Sequence, residues 1–125
     1  MTQITQIDVP FLSQLGSEAI ALFAKRDFQG VADRFGYALS FDRHPTLAIE
    51  ADFDAALSEG QPPSLEKASS ITVKYFKANS THLAAVVECV MPDASGVPVL
   101  IDLIVTGTES PWHISVEDIS AIWPA

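Results

Sequence analysis

The first half of the chain repeats its apolar residues at intervals of three and four, which is the period of an amphipathic helix. The first predicted helix begins after Asp8, a residue able to cap a helix whose first turn contains Pro10. A second, shorter helix is predicted from Phe28 to Phe35, and Gly36 is placed to end it. The residues from Tyr37 to Phe41 are then expected to run extended for a few positions.

A third helix is predicted to begin at Pro45, which suits a first turn, and to stop at Gly60 and the Pro62–Pro63 pair. From Ser70 onward the apolar residues alternate with polar ones and β-branched residues become dense, as in strands. Four strands fit this stretch, near residues 71–77, 82–91, 97–106 and 112–119. The connections are short and rich in turn-forming residues, so consecutive strands are expected to pair as antiparallel hairpins.

This order of elements predicts a single α+β domain over residues 1–125, with three N-terminal helices packed on one face of a curved antiparallel sheet of about four strands. Residues two apart on a strand point the same way, so alternation assigns each residue to a face. The apolar set is expected to face the helices: Ile71, Val73, Tyr75, Leu83, Ala85, Val87, Cys89, Val97, Val99, Ile101, Leu103, Val105, Trp112, Ile114 and Val116.

The opposite face of the predicted sheet is mixed, which is unusual for a face that meets only water. Its candidate partner-binding residues are Lys74, Phe76, Val86, Glu88, Leu100, Asp102, Ile104 and Glu117. Ile119 is assigned to the same face. Glu88, Asp102 and Glu117 share parity on successive strands and are expected to form a row of negative charge, relieved only by a Lys74–Glu88 pair.

Composition and charge narrow the classes of partner. The chain has 125 residues, is 48% hydrophobic, and carries 16 acidic against 7 basic side chains, for a net charge of −9. This sign repels phosphate backbones and anionic lipid surfaces, which argues against nucleic-acid and membrane partners. Lys77 is the last basic residue, so negative charge in the C-terminal part is uncompensated. That charge is either an ordinary solubilising surface or a docking face for a basic partner.

The expected compartment is the cytoplasm. Cys89 is the only cysteine, which excludes an intramolecular disulfide and favours a reducing environment. The first residues lack the pattern of a secretory signal. No apolar run approaches the roughly 20 residues that a membrane-spanning helix needs.

Local sequence features resemble those of the nuclear transport factor 2-like, or cystatin-like, superfamily. Its members commonly carry an apolar first helix, a glycine–aspartate step and a short helix that ends in phenylalanine, and this chain has Ala19–Ala24, then Arg26-Asp27, then Phe28–Phe35. The segment Pro111–Val116 of this chain is similar to the last strand of the superfamily, which often begins with a tryptophan. Arg26 departs from the usual glycine. The resemblance implies a cone-shaped pocket between helices and sheet and, in many members, a dimer formed through the outer sheet face.

An enzyme of the ketosteroid isomerase type needs a carboxylate base and two acidic hydrogen-bond donors in an apolar cavity. Judged by spacing, Ala19 occupies the tyrosine position that the resemblance implies, and Arg43 falls at the position of the base. Tyr37, Asp42 and Tyr75 are the remaining candidates for a catalytic group. No cofactor motif is present, and the three histidines lack the close spacing of a zinc site.

The sequence therefore favours a non-catalytic binding module. Its expected partner is a second copy joined through the outer sheet face, a basic protein, as for an immunity-type inhibitor, or a small apolar ligand. The alternative is a cofactor-independent isomerase or dehydratase with a carboxylate in the cavity.

Overall fold

A computed structural model describes residues 2–59, 69–92 and 97–122. Its elements are β1 (Thr2–Ile4), α1 (Val9–Ala24), α2 (Phe28–Arg34), α3 (Pro45–Glu59), β2 (Ser70–Tyr75), β3 (Leu83–Pro92), β4 (Pro98–Thr106) and β5 (Trp112–Ala121). The predicted α+β class, the three N-terminal helices and the antiparallel sheet are confirmed. None of the described helices is long and apolar enough to cross a membrane.

The starts of the helices follow from short-range chemistry. The carboxylate of Asp8 accepts a hydrogen bond from the backbone N–H of Phe11 at 2.9 Å, and Asp27 caps α2 in the same way through the N–H of Gly30 at 2.9 Å. After α2, Gly36 takes a left-handed conformation with φ of 74°. The predicted stop signals of α3, Gly60 and Pro62–Pro63, lie outside the described residues, as does the turn between β3 and β4.

The strands form one sheet in the order β1-β5-β4-β3-β2, with every pair antiparallel. Strand β1 was missing from the prediction because three residues are too few to show alternation. It pairs only with residues 112–114 of β5. The prediction of an extended run from Tyr37 to Phe41 was wrong except at Tyr37, which forms one parallel bridge to Val116, while the following residues form turns.

All three helices pack on one face of the sheet, hereafter the inner face. Phe23, Phe28 and Phe53, one from each helix, form a ring cluster with centroids 5.4–6.3 Å apart. The fully buried strand residues beneath the helices are Ala85, Val87, Cys89, Val99, Ile101, Leu103, Val105, Ile114 and Val116. The predicted inner face is therefore confirmed in the body of the sheet, whereas Tyr75, on the edge strand β2, is 48% exposed.

A bulge in β5 changes the predicted assignment of its last residues. Asp102 pairs with Asp118, but its neighbour Leu103 pairs with Val116, so Glu117 is the extra residue. An extra residue reverses the parity of everything that follows it. Glu117 is consequently exposed at the bulge, and Asp118 occupies the outer-face position that was predicted for Glu117. Ile119 turns inward and is 7% exposed, so its assignment to the outer face was wrong.

Candidate functional site

Strand register builds the outer face as parallel rows that run across β3, β4 and β5. Glu88, Asp102 and Asp118 are direct neighbours on these strands and form what we call the acidic row. Adjacent strands lie about 4.8 Å apart, so the three carboxylates are close enough to repel one another. Half-buried apolar residues lie on both sides of this row and form what we call the apolar flank: Val86, Val90, Leu100 and Ile104.

Asp102 lies at the centre of the acidic row, with a carboxylate on each side, so its ionised form is electrostatically unfavourable. Its Oδ1 atom is buried and has no hydrogen-bond partner among the described residues. Burial raises the pKa of the Asp102 carboxyl to about 6, and the neighbouring charges of Glu88, Asp118 and Glu117 add to the increase. The nearby Lys74 opposes this rise in pKa but does not cancel it.

Among the described strand residues, Lys74 is the only cation on this face, and it forms an ion pair with Glu88. Lys74 Nζ lies 2.5 Å from Glu88 Oε1, which confirms the predicted pair, and the bond raises the pKa of Lys74. No described cation lies within ion-pair distance of Asp102 or Asp118. The centre of the row is therefore negative and free to accept hydrogen bonds.

The apolar flank shares the face with one exposed aromatic residue. Phe76, which follows β2, is 46% exposed, and its backbone N–H continues the ladder by donating to the carbonyl of Ala84 at 3.0 Å. The buried positions of β3 and β4 all have the opposite parity, so the described helices leave the outer face of these two strands uncovered. On β5 the face is less open, since Ser115, the neighbour of Ile104, is only 2% exposed. Half-buried aliphatic side chains and an exposed aromatic residue on one sheet face form an apolar patch of the kind that marks protein interaction sites.

Seven of the eight predicted partner-binding residues lie together on this face. Glu117 is the exception, because the bulge places Asp118, and not Glu117, beside Asp102 in the acidic row. The sequence did contain a signal for this change: Val116 and Ile119, both buried, are three positions apart and break the alternation of the last strand.

The proposed catalytic residues do not converge. The Tyr37 hydroxyl donates a hydrogen bond to Asp52, not to Asp42, and the Arg43 guanidinium binds the same Asp52 carboxylate at 3.0 and 3.1 Å. Arg43 thereby lowers the pKa of Asp52, while burial, followed by the bond to Asp52, raises the pKa of Tyr37. The ionised Asp52 carboxylate, which accepts hydrogen bonds from both Tyr37 and Arg43, therefore has a structural role. It is poorly suited to act as a base.

Tyr75 lies far from this network. Its strand, β2, is at one edge of the sheet, whereas Tyr37 bridges to β5, three strand spacings or about 14 Å away. The Tyr75 hydroxyl donates to the carbonyl of Ile7. Asp42 is exposed in the turn before α3.

The other chemically interesting side chains offer little reactivity. Cys89 is fully buried, and burial raises its pKa to about 12, so the thiolate is scarce at neutral pH. Among the described residues, no group of three or more His, Cys, Asp or Glu is arranged to hold a metal ion.

No family model, curated protein or solved structure matches this chain.

Proposed function

We propose that this protein is a non-catalytic binding module whose outer sheet face docks a basic protein partner. The observation that carries the proposal is Asp102, a carboxylate with an unpartnered buried oxygen at the centre of an acidic row and surrounded by the apolar flank. We further propose that the fold is nuclear transport factor 2-like. The support for this second proposal is the order of three helices followed by the antiparallel sheet.

The expected contact on the partner is an arginine side chain. A guanidinium presents a planar fork of donors, which suits two neighbouring carboxylates such as Asp102 and Asp118 better than the point charge of lysine does. Because Oδ1 is buried, the Asp102 carboxyl group has to rotate for this oxygen to accept a hydrogen bond from the partner. Val86, Val90, Leu100 and Ile104 then contribute apolar burial around the charged contact and exclude water from it.

A basic partner fits this face better than a second copy of the chain. A two-fold axis through the outer face brings the same patch of both subunits together, and therefore places one acidic row against the other. Lys74 is already paired with Glu88 and is not free to compensate. An immunity-type inhibitor of a basic toxin is one specific form of the proposed function.

The test compares capture from a lysate of the source cells by four versions of the purified protein: wild type, Asp102→Asn, Asp118→Asn and the control Glu109→Gln. Glu109 is an exposed carboxylate outside the acidic row. Support requires one basic protein that wild type and the control retain, with at least about tenfold weaker affinity for the two row variants, as expected for loss of a buried charged contact. Equal affinity for all four proteins contradicts the proposal.

Sedimentation equilibrium tests whether a second copy of the chain occupies the outer face. A wild-type dimer that Val86→Asp converts to a monomer identifies a second copy as the occupant of the outer face, and overturns the choice of a basic partner.

A further inference from the structure

A pocket of about 420 Å³ lies at the end of the sheet where β2 ends and β5 begins. Tyr75, Phe76 and Trp112 line it together with Leu83, so its walls are mainly aromatic and aliphatic. Tyr75 and Phe76 are 48% and 46% exposed, so about half of each residue is accessible to a ligand. The volume falls within the range of small-molecule sites, about 300–1,000 Å³.

One wall of this pocket is held in place by a tightly bonded turn. The Asn79 side-chain amide donates to the carbonyls of Lys77 and Leu83 at 2.8 and 2.9 Å, and its oxygen accepts from the N–H of Leu83 at 3.1 Å. His82 follows in a left-handed conformation with φ of 55°, and its carbonyl accepts from the N–H of Gly107 at 2.8 Å. This wall is therefore held in place without a ligand, which lowers the cost of binding.

The lining of the pocket is uncharged, although the protein is strongly acidic. None of the described residues that line it is Asp, Glu, Lys or Arg. The side chains of His82, Thr108 and Trp112 make no hydrogen bond with the described residues, so their donors are free, whereas the Tyr75 hydroxyl and the Asn79 amide are already used. The free donors point to a ligand with a hydrogen-bond acceptor.

A second, shallower depression of about 440 Å³ adjoins this pocket and shares His82, Gly107 and Thr108 with it. Its other lining residues, Thr81, Thr106 and His113, are polar. The combined cleft thus has an aromatic end and a hydroxyl- and imidazole-bearing end.

We infer that this cleft binds a small uncharged molecule with a flat apolar ring system and a carbonyl or hydroxyl oxygen. The rings lie between Tyr75, Phe76 and Trp112, and the oxygen accepts from Thr108 or His82. A carboxylate in place of that oxygen meets no cation in the lining and a net protein charge of −9. An ammonium group likewise meets no carboxylate. Thr108 and Trp112 separate this inference from the outer-face proposal, because they lie outside the acidic row and its flank, whereas Phe76 borders both surfaces.

The experiment is a titration of 15N-labelled protein with 2-acetylnaphthalene, followed by amide shifts, with 2-naphthoate as the charged analogue of the same ring system. We expect saturable shifts confined to residues 75–84 and 106–113, and an affinity for 2-naphthoate at least about tenfold lower, because its charge is not compensated. Shifts without saturation, shifts centred elsewhere, or tighter binding of 2-naphthoate overturn the inference.

Variants then test the two halves of the cleft. Phe76→Ala is expected to weaken 2-acetylnaphthalene binding at least about fivefold through lost aromatic contact. Thr108→Val, which removes the hydroxyl and keeps the shape, is expected to weaken it by about threefold or more through the lost hydrogen bond. Phe41→Ala removes an aromatic side chain that is 80% exposed and outside the cleft, so its affinity is expected to equal that of wild type. Unchanged affinity in both cleft variants, or an equal loss in the control, contradicts the assignment.

Discussion

At the scale of single residues, Asp102 illustrates a conflict between stability and recognition. A partly buried carboxylate between two others is costly when ionised, and the unpartnered Oδ1 adds to that cost. The pKa of Asp102 rises from its usual 3.8 to about 6, so the folded state holds the proton more tightly than the unfolded state does. The free energy of unfolding must therefore fall as pH rises from about 4 to about 6, and it stays lower above this range.

Asp102→Asn is consequently expected to stabilise the protein at neutral pH. The full pKa shift overstates the gain, since solvent screens a side chain that is only partly buried, and we expect about 1 kcal/mol at pH 7.5. The difference from wild type should be small at pH 3.5 and disappear at still lower pH, where the carboxyl is protonated in both the folded and the unfolded state. Urea unfolding at pH 7.5 and pH 3.5 measures both values. A variant that is less stable than wild type at pH 7.5 contradicts the interpretation of Asp102 as a strained charge.

At the scale of elements, the turn between α2 and α3 holds an exposed aromatic residue in an unfavourable conformation. Phe41 is 80% exposed and has a left-handed φ of 52°. Arg43 closes the turn by donating to the carbonyls of Leu39 and Ser40 at 2.7 and 3.2 Å while it binds Asp52. The hydrogen bonds of Arg43 therefore fix the backbone of this turn, and they hold Phe41 in a conformation that is sterically unfavourable for a residue with a side chain.

Phe41→Gly is expected to raise the free energy of unfolding by about 0.5–1 kcal/mol, because glycine adopts the left-handed region without a steric penalty and little buried surface is lost. Leu47→Ala is the matched control, since Leu47 is 63% exposed but lies on a regular helix, and a change within about 0.5 kcal/mol is expected there. Thermal unfolding of the three proteins under one condition gives the comparison. A Phe41→Gly variant less stable than wild type shows that the ring stabilises the fold through contacts.

The elements that the sequence predicted well are those with a strong local signal. Asp8 and Pro45 mark the beginnings of helices, and long alternating runs mark β3 and β4 with errors of only one residue at their ends. The bulge at Glu117 was missed because strict alternation was extended through it. The Asp52–Tyr37–Arg43 network was missed for a different reason: it joins residues from a turn and a helix, and no spacing rule relates them. Sheet register, which forms the acidic row, follows from pairing and is only partly visible in sequence.

At the scale of the whole molecule, charge is distributed unequally between the two halves. The basic side chains all lie at or before Lys77, and four of the five ion pairs among the described residues are made within the helical part. The strands after Lys77 carry only acidic charges. The negative charge of this half is therefore not neutralised by nearby cations. The resulting negative potential favours rapid association with a basic partner at low ionic strength.

The same imbalance gives the salt dependence of stability. Two effects of salt oppose each other. Salt weakens the ion pairs, and those of the described residues are largely solvent-exposed and contribute little. Salt also screens the mutual repulsion within a chain whose net charge is −9. Repulsion should dominate, because surface ion pairs are individually weak. Between 20 mM and 0.5 M NaCl at pH 7.5 we expect the free energy of unfolding to rise by about 1 kcal/mol, and Tm by about 4 °C.

The control for this salt effect is a variant in which Asp42 and Glu109, both exposed and without a described ion-pair partner, are replaced by lysine. With less net charge to screen, its Tm is expected to rise by no more than about half as much over the same salt range. A wild-type Tm that falls with salt reverses the balance and assigns the larger stabilising role to the ion pairs. An equal rise in both proteins attributes the effect to salt acting on apolar surface, since such an effect does not depend on net charge.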